Sequence, residues 1–349
     1  MSASHVPPGY WLIEAGRVAL LVHQRGLLAA LSISVALLIA SALFLASGSA
    51  ELAPADALAA AFGLGDPMDV FLVRELRLQR LVAALSTGAA LGVGGCLLQT
   101  LARNRLATPG IIGIDDGATA FAVASIVAVS TTLAPSALAL VGASTSAALA
   151  FGLSAGTGAR GYRFIVIGIA VGALFGALTN LMLARADMDS ANLAFAWTVG
   201  SLSARPAQSV WLLLGGLLLC LPLAKYLGGQ LSLMRFADAV ALGLGVRLQR
   251  MRVYTLAITV VLTALAVAVV GPVGLVALAA PEMARYLAGH QGVPIWGAAL
   301  AGALMMVLAD LVGRTVLSPI EVPVGVVTAI IGGPYLLWIL LRQSRGRGL

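Results

Sequence analysis

Long apolar runs separated by short polar breaks make up most of the chain, and their length decides its fold class. Residues Leu81 to Leu101 carry no charge and lie between arginine-bearing ends; about twenty such residues are what an α-helix needs to cross a bilayer's hydrocarbon core. The first run of this kind covers 27–47, and the Leu81 run is the second. Others follow at 110–130, 135–156, 164–184, 208–227, 253–270, 273–288, 295–313 and 323–341. Hydropathy therefore predicts about ten spans. After the first run a polar segment with Glu51, Asp56, Asp66 and Asp69 holds a short amphipathic helix over 52–62, and a half-length amphipathic piece, ANLAFAWTVGSLS, precedes the sixth span. Residues 229–252 are the most polar internal stretch, with two short helical pieces broken at Gly243 and Gly245. Gly332-Gly333-Pro334 is expected to kink the last span.

Small residues recur within these runs. Gly88, Gly92 and Gly95 follow one another at four and three, a stripe that lets a neighbouring helix approach closely in lipid. Gly168, Gly172, Gly176 and Asn180 share one face of the fifth span at a spacing of four, so that face packs against something or lines it.

Composition fits a polytopic integral membrane protein: 60% of residues are hydrophobic and only 10% charged, outside soluble averages. The net charge of +7 does not indicate nucleic acid, because the basic residues are scattered singly or in pairs instead of forming a patch with aromatics. Cys96 and Cys220 each lie in an apolar run, which gives no disulfide framework or thiolate cluster. Residues 1–26 lack the short basic region and cleavage site of a signal peptide, so they read as a tail and the first run as a retained span. With that tail cytoplasmic, fifteen of the 21 lysines and arginines fall on the inner side and six on the outer. This is the positive-inside bias, and it places both termini, including the basic tail 342–349, in the cytoplasm.

No catalytic or metal constellation emerges. His5, His23 and His290 have no partner at ligand spacing. A phosphate-cradling loop needs Lys followed by Ser or Thr, whereas the sole lysine, Lys225, precedes Tyr226. The chain itself then hydrolyses no ATP by that route and binds no cofactor; any such energy comes from a partner. Carboxylates in spans are the signature of an ion-coupled carrier, and Asp115, Asp116 and Asp310 are the candidates. Asp310 and Arg314 stand four apart and read as a local ion pair. Asp115 and Asp116 read either as a helix start facing water or as a functional polar position.

Four motifs, in order, resemble the FecCD-type permeases of ABC importers for iron-siderophores, haem and cobalamin, over about 70–341. RLQRLVAALSTGAALGVGG is similar to the family's Arg-Leu-Pro-Arg span, and NRLATPGIIG to Asn-Pro-Leu-Ala-x-Pro-x-x-x-Gly. GPVGLVALAAPEMAR is similar to Gly-Pro-Ile-x-Phe-x-Gly-Leu-x-x-Pro-His-x-x-Arg, and the closing PVGVVTAIIGGP to Pro-Val-Gly-Val-x-Thr-x-x-x-Gly-x-Pro. The resemblance implies an all-α membrane fold of ten helices per subunit, dimeric around a pathway lined chiefly by the fifth and tenth spans. Gly168, Gly172, Gly176 and Asn180 would then line that pathway. It implies docking of a periplasmic or lipid-anchored substrate-binding protein through Arg77, Arg80 and Arg314, and a cytoplasmic gate at Asn104, Arg105 and Leu106. The segment 229–252 would couple to two copies of a cytoplasmic ATPase, which uses ATP-Mg, through Arg235, Asp238, Ala241, Gly245 and Arg247. The second permease subunit would be the same or a related chain. Where the family has proline, this chain has Gln79 and Arg105; the family's acidic and basic coupling residues are Ala239 and Leu242 here, and Glu282 replaces its histidine. The reading is an importer of a metal chelate, a ferric siderophore, in the bacterial cytoplasmic membrane. Its rival is a proton-coupled carrier. An intramembrane enzyme would need a paired nucleophile and base, which the sequence lacks.

Overall fold

The computed structural model describes residues 9–15, 18–48, 52–127, 134–154, 162–203, 205–236, 238–289 and 292–345. His5, Arg17, Glu51, Arg160, His290 and Arg347, used above in reading the histidines, the polar segment and the charge bias, lie outside them. Helices dominate. The exception lies in the expected N-terminal tail, where β1 (Tyr10–Ala15) and β2 (Val18–His23) pair as an antiparallel hairpin and lead directly into α1 (Gln24–Ala46). Both strands are rich in aromatic and β-branched residues, Tyr10, Trp11, Ile13, Val18 and Val22, a strand-like signal masked by the adjoining apolar run.

The amphipathic stretch after α1 forms α2 (Pro54–Ala61), and α3 (Pro67–Phe71) passes through a π-helical turn, Leu72–Arg77, into α4 (Leu78–Ala102). A 3-10 turn, Pro109–Ile112, precedes α5 (Ile114–Val127), which is followed by α6 (Pro135–Leu153), α7 (Tyr162–Arg185) and the half-length α8 (Met188–Val199). Next come α9 (Ala207–Leu233), the short α10 (Asp238–Gly243), α11 (Leu248–Val270), α12 (Gly274–Ala288), α13 (Ile295–Thr315) and α14 (Val324–Arg345). Every one of the ten expected spans has a helix. Among the described residues, seven are long and apolar enough to cross a membrane, whereas α5 with 14 residues and α12 with 15 fall short of the ~20 that a full crossing takes. The turn at Gly113, with φ +78°, removes the first part of the expected third span from α5. In the segment 229–252 only one separate helix forms, because residues 229–233 extend α9 and the stretch after Gly245 starts α11.

At the centre stands α4, buried on most of its faces against α9, α11, α12 and α13. Its glycine stripe is the reason: Gly88 faces the Gly302 carbonyl, Gly92 that of Ala298 and Gly95 that of Ala277, at separations that leave no room for a β-carbon. Packing of this kind uses dispersion contact in place of the hydrophobic drive that lipid does not supply.

Candidate functional site

The two ends of α4 carry different chemistry. At its start, Arg77 is 7% exposed and donates through Nη1 to the carbonyls of Leu45 and Ala46, at 2.7 and 3.0 Å. Those are carbonyls at the C-terminus of α1, left without intrahelical donors, and a guanidinium suits them both as donor and as charge. Arg80 grips Asp310 through Nε and Nη2, both at 2.9 Å, and reaches Glu321 through Nη1 at 2.9 Å. Arg314 lies 3.3 Å from the same Asp310 carboxylate, over the Phe44 ring at 3.9 Å, and donates to the carbonyls of Phe44 and Ser47. The i,i+4 pair expected from spacing is therefore formed, but as part of a larger knot tying α1, α4 and α13 together.

Arg77, Arg80 and Arg314, the expected docking residues, are each engaged by groups of their own chain. The exposed arginines at this end are Arg74, before α4, and Arg185, at the end of α7. Arg205 is also buried; burial lowers its pKa to about 10, and it stacks over Trp197 at 4.2 Å while its carbonyl accepts from Gln79. Burial disfavours the Glu321 carboxylate, but hydrogen bonds from Arg80 and Ser203 outweigh it and hold its pKa below the ordinary value.

The glycine face of α7 is partly packed. Gly168 is buried against the Ile111 carbonyl, and Gly172 against Gly113 and the Asp116 carboxylate. Gly176 is half-buried beside Asp116 and Asn180 is exposed. The open face of α7 is aliphatic, presenting Ile165, Ile169, Leu174, Leu178 and Leu181. Asp115 lies against Gly110 at the start of α5, so the two aspartates face different neighbours.

At the other end α4 stops on Arg103, a non-glycine residue at φ +52°. Its side chain explains how the strained backbone is held: Nη2 donates to the carbonyls of Met234 and Phe236 and pairs with Asp238 at 3.0 Å. Asp238 in turn pairs with Arg252 of α11 at 2.9 Å. The expected gate residues follow at once. The Asn104 side chain accepts from the Leu106 amide at 2.9 Å, forming a tight turn in place of the family's proline. Arg105 reaches Glu282 of α12 at 3.5 Å, Glu282 pairs with Arg285 at 2.9 Å, and Arg285 donates to Gln99 of α4. Two of the departures from the family pattern, Arg105 and Glu282, thus face each other.

Among the expected coupling residues, Asp238 and the fully buried Ala241 hold α10 to the bundle, Gly245 ends it at φ +82°, and Arg235 donates weakly to the Gly292 carbonyl. Arg247 is exposed at the start of α11. What α10 and its flanks turn outward is apolar: Phe236, Val240, Leu242 and Leu244 are all exposed. The spacing of four from Phe236 through Val240 to Leu244, on a segment bracketed by arginines, is the sequence signal that marks this surface.

A profile of the FecCD transport family matches residues 35–342. The ferric enterobactin transport system permease protein FepG of Escherichia coli (strain K12) is 35% identical over 329 residues, covering 93% of this chain and 98% of that one. The Fe(3+)-citrate import system permease protein YfmE of Bacillus subtilis (strain 168) is 34% identical, with 93% and 97% covered. A solved ABC transporter described as of metal-chelate type, in an inward-facing conformation, superposes with a TM-score of 0.77 at 26% identity, covering 91% of this chain and 99% of that one.

Proposed function

The chain belongs to the FecCD transport family, and from that premise we propose that it is the permease subunit of an ATP-driven importer of a metal chelate, a ferric siderophore. The names of its relatives, which carry ferric enterobactin and ferric citrate, support the cargo class. In this reading the subunit sits in the bacterial cytoplasmic membrane with the α10 end inward and pairs with a second permease subunit through surfaces such as the aliphatic face of α7. Two copies of a cytoplasmic ATPase supply ATP-Mg hydrolysis, and a binding protein delivers cargo at the Glu321 end.

One observation carries the reading: the helix that offers an apolar surface at the inner end is wired to the exit loop. A partner gripping Phe236, Val240, Leu242 and Leu244 moves Asp238, and Asp238 holds Arg103, the residue that fixes the turn into Asn104–Leu106. That turn is tied in turn to α12 through Arg105 and Glu282. A displacement of α10 therefore reaches the exit through two ion-pair links without rearranging the core. Carried substrate would pass an aliphatic wall with few fixed charges, which leaves selection to the binding protein.

The test uses proteoliposomes holding the assembled transporter. Uptake of ferric chelate should vanish when the partner ATPase is inactivated and should be indifferent to collapse of the proton gradient. Uptake that follows the gradient instead would establish the carrier reading through Asp115 or Asp116; Asp310, held by two arginines, is not available as a relay. In the same vesicles Asp238→Ala should lower uptake about tenfold while ATP hydrolysis continues, corresponding to ~1.4 kcal/mol shared between two partly exposed pairs. Uptake and hydrolysis falling together would argue against the linkage. For docking, Arg74→Glu with Arg185→Glu should weaken binding-protein association at low salt by about tenfold, since exposed charges act through screened attraction; unchanged association would rule these arginines out.

A further inference from the structure

Two neighbouring cavities open at the α10 end, the smaller beside the Asn104–Leu106 turn. The smaller, about 250 Å³, is lined by Arg103, Arg105, Arg235 and Arg285 with Asn104 and Gln99. The carboxylates paired with its arginines are Asp238, which is shared with Arg252, and Glu282. Five arginines thus surround two carboxylates, and Arg235 makes no ion pair among the described residues. Arg103, Arg105 and Arg235 are exposed, so the excess positive charge is open to an anion arriving from outside, while Arg285 lies deeper at 12% side-chain exposure. The Nε of Arg285 is buried without a hydrogen-bond partner, so even the innermost member has an unfilled donor.

The larger cavity, about 590 Å³, shares Gly292 and Val293 with the first. Its walls are apolar, with Leu27 and Ile33 from α1, Ala288 from α12 and Ile295 from α13, and its rim carries Tyr10, Lys225 and Trp296. Just outside it the surfaces of α1 and α9 are aliphatic, exposing Leu28, Leu31 and Leu223. Aromatic residues and a lysine between an apolar wall and a basic end mark the depth of a membrane interface.

We propose that the paired cavities bind one anionic phospholipid, its phosphodiester headgroup among the arginines and an acyl chain in the apolar cleft. Arg105 and Arg285 meet the headgroup, and the same two residues bridge the exit turn to α12 through Glu282. Lipid occupancy therefore bears on how firmly that turn is held. The site depends on the chain lying in a membrane, not on the cargo or on which side faces the cytoplasm.

Native mass spectrometry of the full chain in detergent, incubated with phosphatidylglycerol or with phosphatidylcholine of the same acyl chains, tests it. Phosphatidylglycerol should be retained at least fivefold better, and Arg235→Gln should reduce that preference about fivefold, the value of one interfacial cation. Arg235→Lys should restore it, which separates lost charge from misfolding. Gly229→Leu, placed where a side chain meets open space inside the cleft, should lower retention of both lipids. Equal retention of the two lipids, or a preference unchanged by Arg235→Gln, would overturn the proposal. So would displacement of phosphatidylglycerol by millimolar inorganic phosphate, which would make this a free-anion site. Loss of ATPase association in Arg235→Gln with lipid retention intact would overturn it in favour of a protein contact.

Discussion

Asp310→Ala should destabilise the folded subunit by about 3–5 kcal/mol, the range for removing one partner of a buried ion pair. The reason is the arrangement around it. Asp310 is 2% exposed and its carboxylate serves two guanidiniums, those of Arg80 and Arg314. Without it, both positive groups stay buried next to each other, near Arg77, with only the half-exposed Glu321 to offset them. Arg314 cannot simply swing into water, because Phe44 and the last carbonyls of α1 hold it. The thermal midpoint of the purified protein should fall on the order of 10 °C, and raising salt should not recover it, since buried charges are poorly screened. Arg80→Ala should cost less, because Asp310 then keeps Arg314. An Asp310→Ala midpoint within about 2 °C of the parent chain, or an Arg80→Ala loss as large, would contradict this account.

The same knot shows what the sequence could and could not reveal. Hydropathy located a helix for each of the ten expected spans because apolar run length is a local property of the sequence. It also located the half-helix α8 and the break at Gly243 to Gly245. The roles of Arg77, Arg80 and Arg314 were not legible, because burial of a helix-end arginine depends on what arrives from elsewhere. Arg80 meets a carboxylate 230 residues away, and Arg77 meets carbonyls from another helix. Seen along one helix, an engaged arginine and an open one look alike. The α7 glycines were ambiguous for a related reason: a stripe of small residues states that something comes close, not whether it is backbone or cargo. Glu282 made no sense in isolation and becomes intelligible once Arg105 and Arg285 are found on either side of it. The pairing of Tyr10–Ala15 with Val18–His23 is not legible because these apolar residues lead directly into the apolar run of α1.

The glycine stripe of α4 supports the second large effect, in which Gly95→Ala should abolish recovery of a monodisperse protein. A methyl group at Gly95 would occupy the space of the Ala277 carbonyl oxygen. Because that oxygen belongs to backbone, no rotamer change relieves the clash; α12 must move bodily away from α4. Overpacking of this sort costs typically 1–3 kcal/mol and more where backbone must shift. Here the shift also breaks contacts the stripe makes elsewhere, since Gly92 and Gly88 are seated on α13 by the same close approach. The Gln99 side chain, which donates to the Leu278 carbonyl at 3.1 Å and accepts from Arg285, would lose its register with α12, and with it the tie between α12 and the Asn104–Leu106 turn. Gly215→Ala on α9 is the matched control: a methyl there meets nothing within 4 Å, and alanine is the better helix former by about 1 kcal/mol. Fluorescence-detected size exclusion of the two variants reads the difference, with Gly215→Ala eluting like the parent chain and Gly95→Ala reduced more than tenfold or aggregated. Equal, well-formed peaks would mean that α4 and α12 can separate freely, and α4 could not then serve as the fixed element between the arginine knot at one end and the Asn104–Leu106 turn at the other.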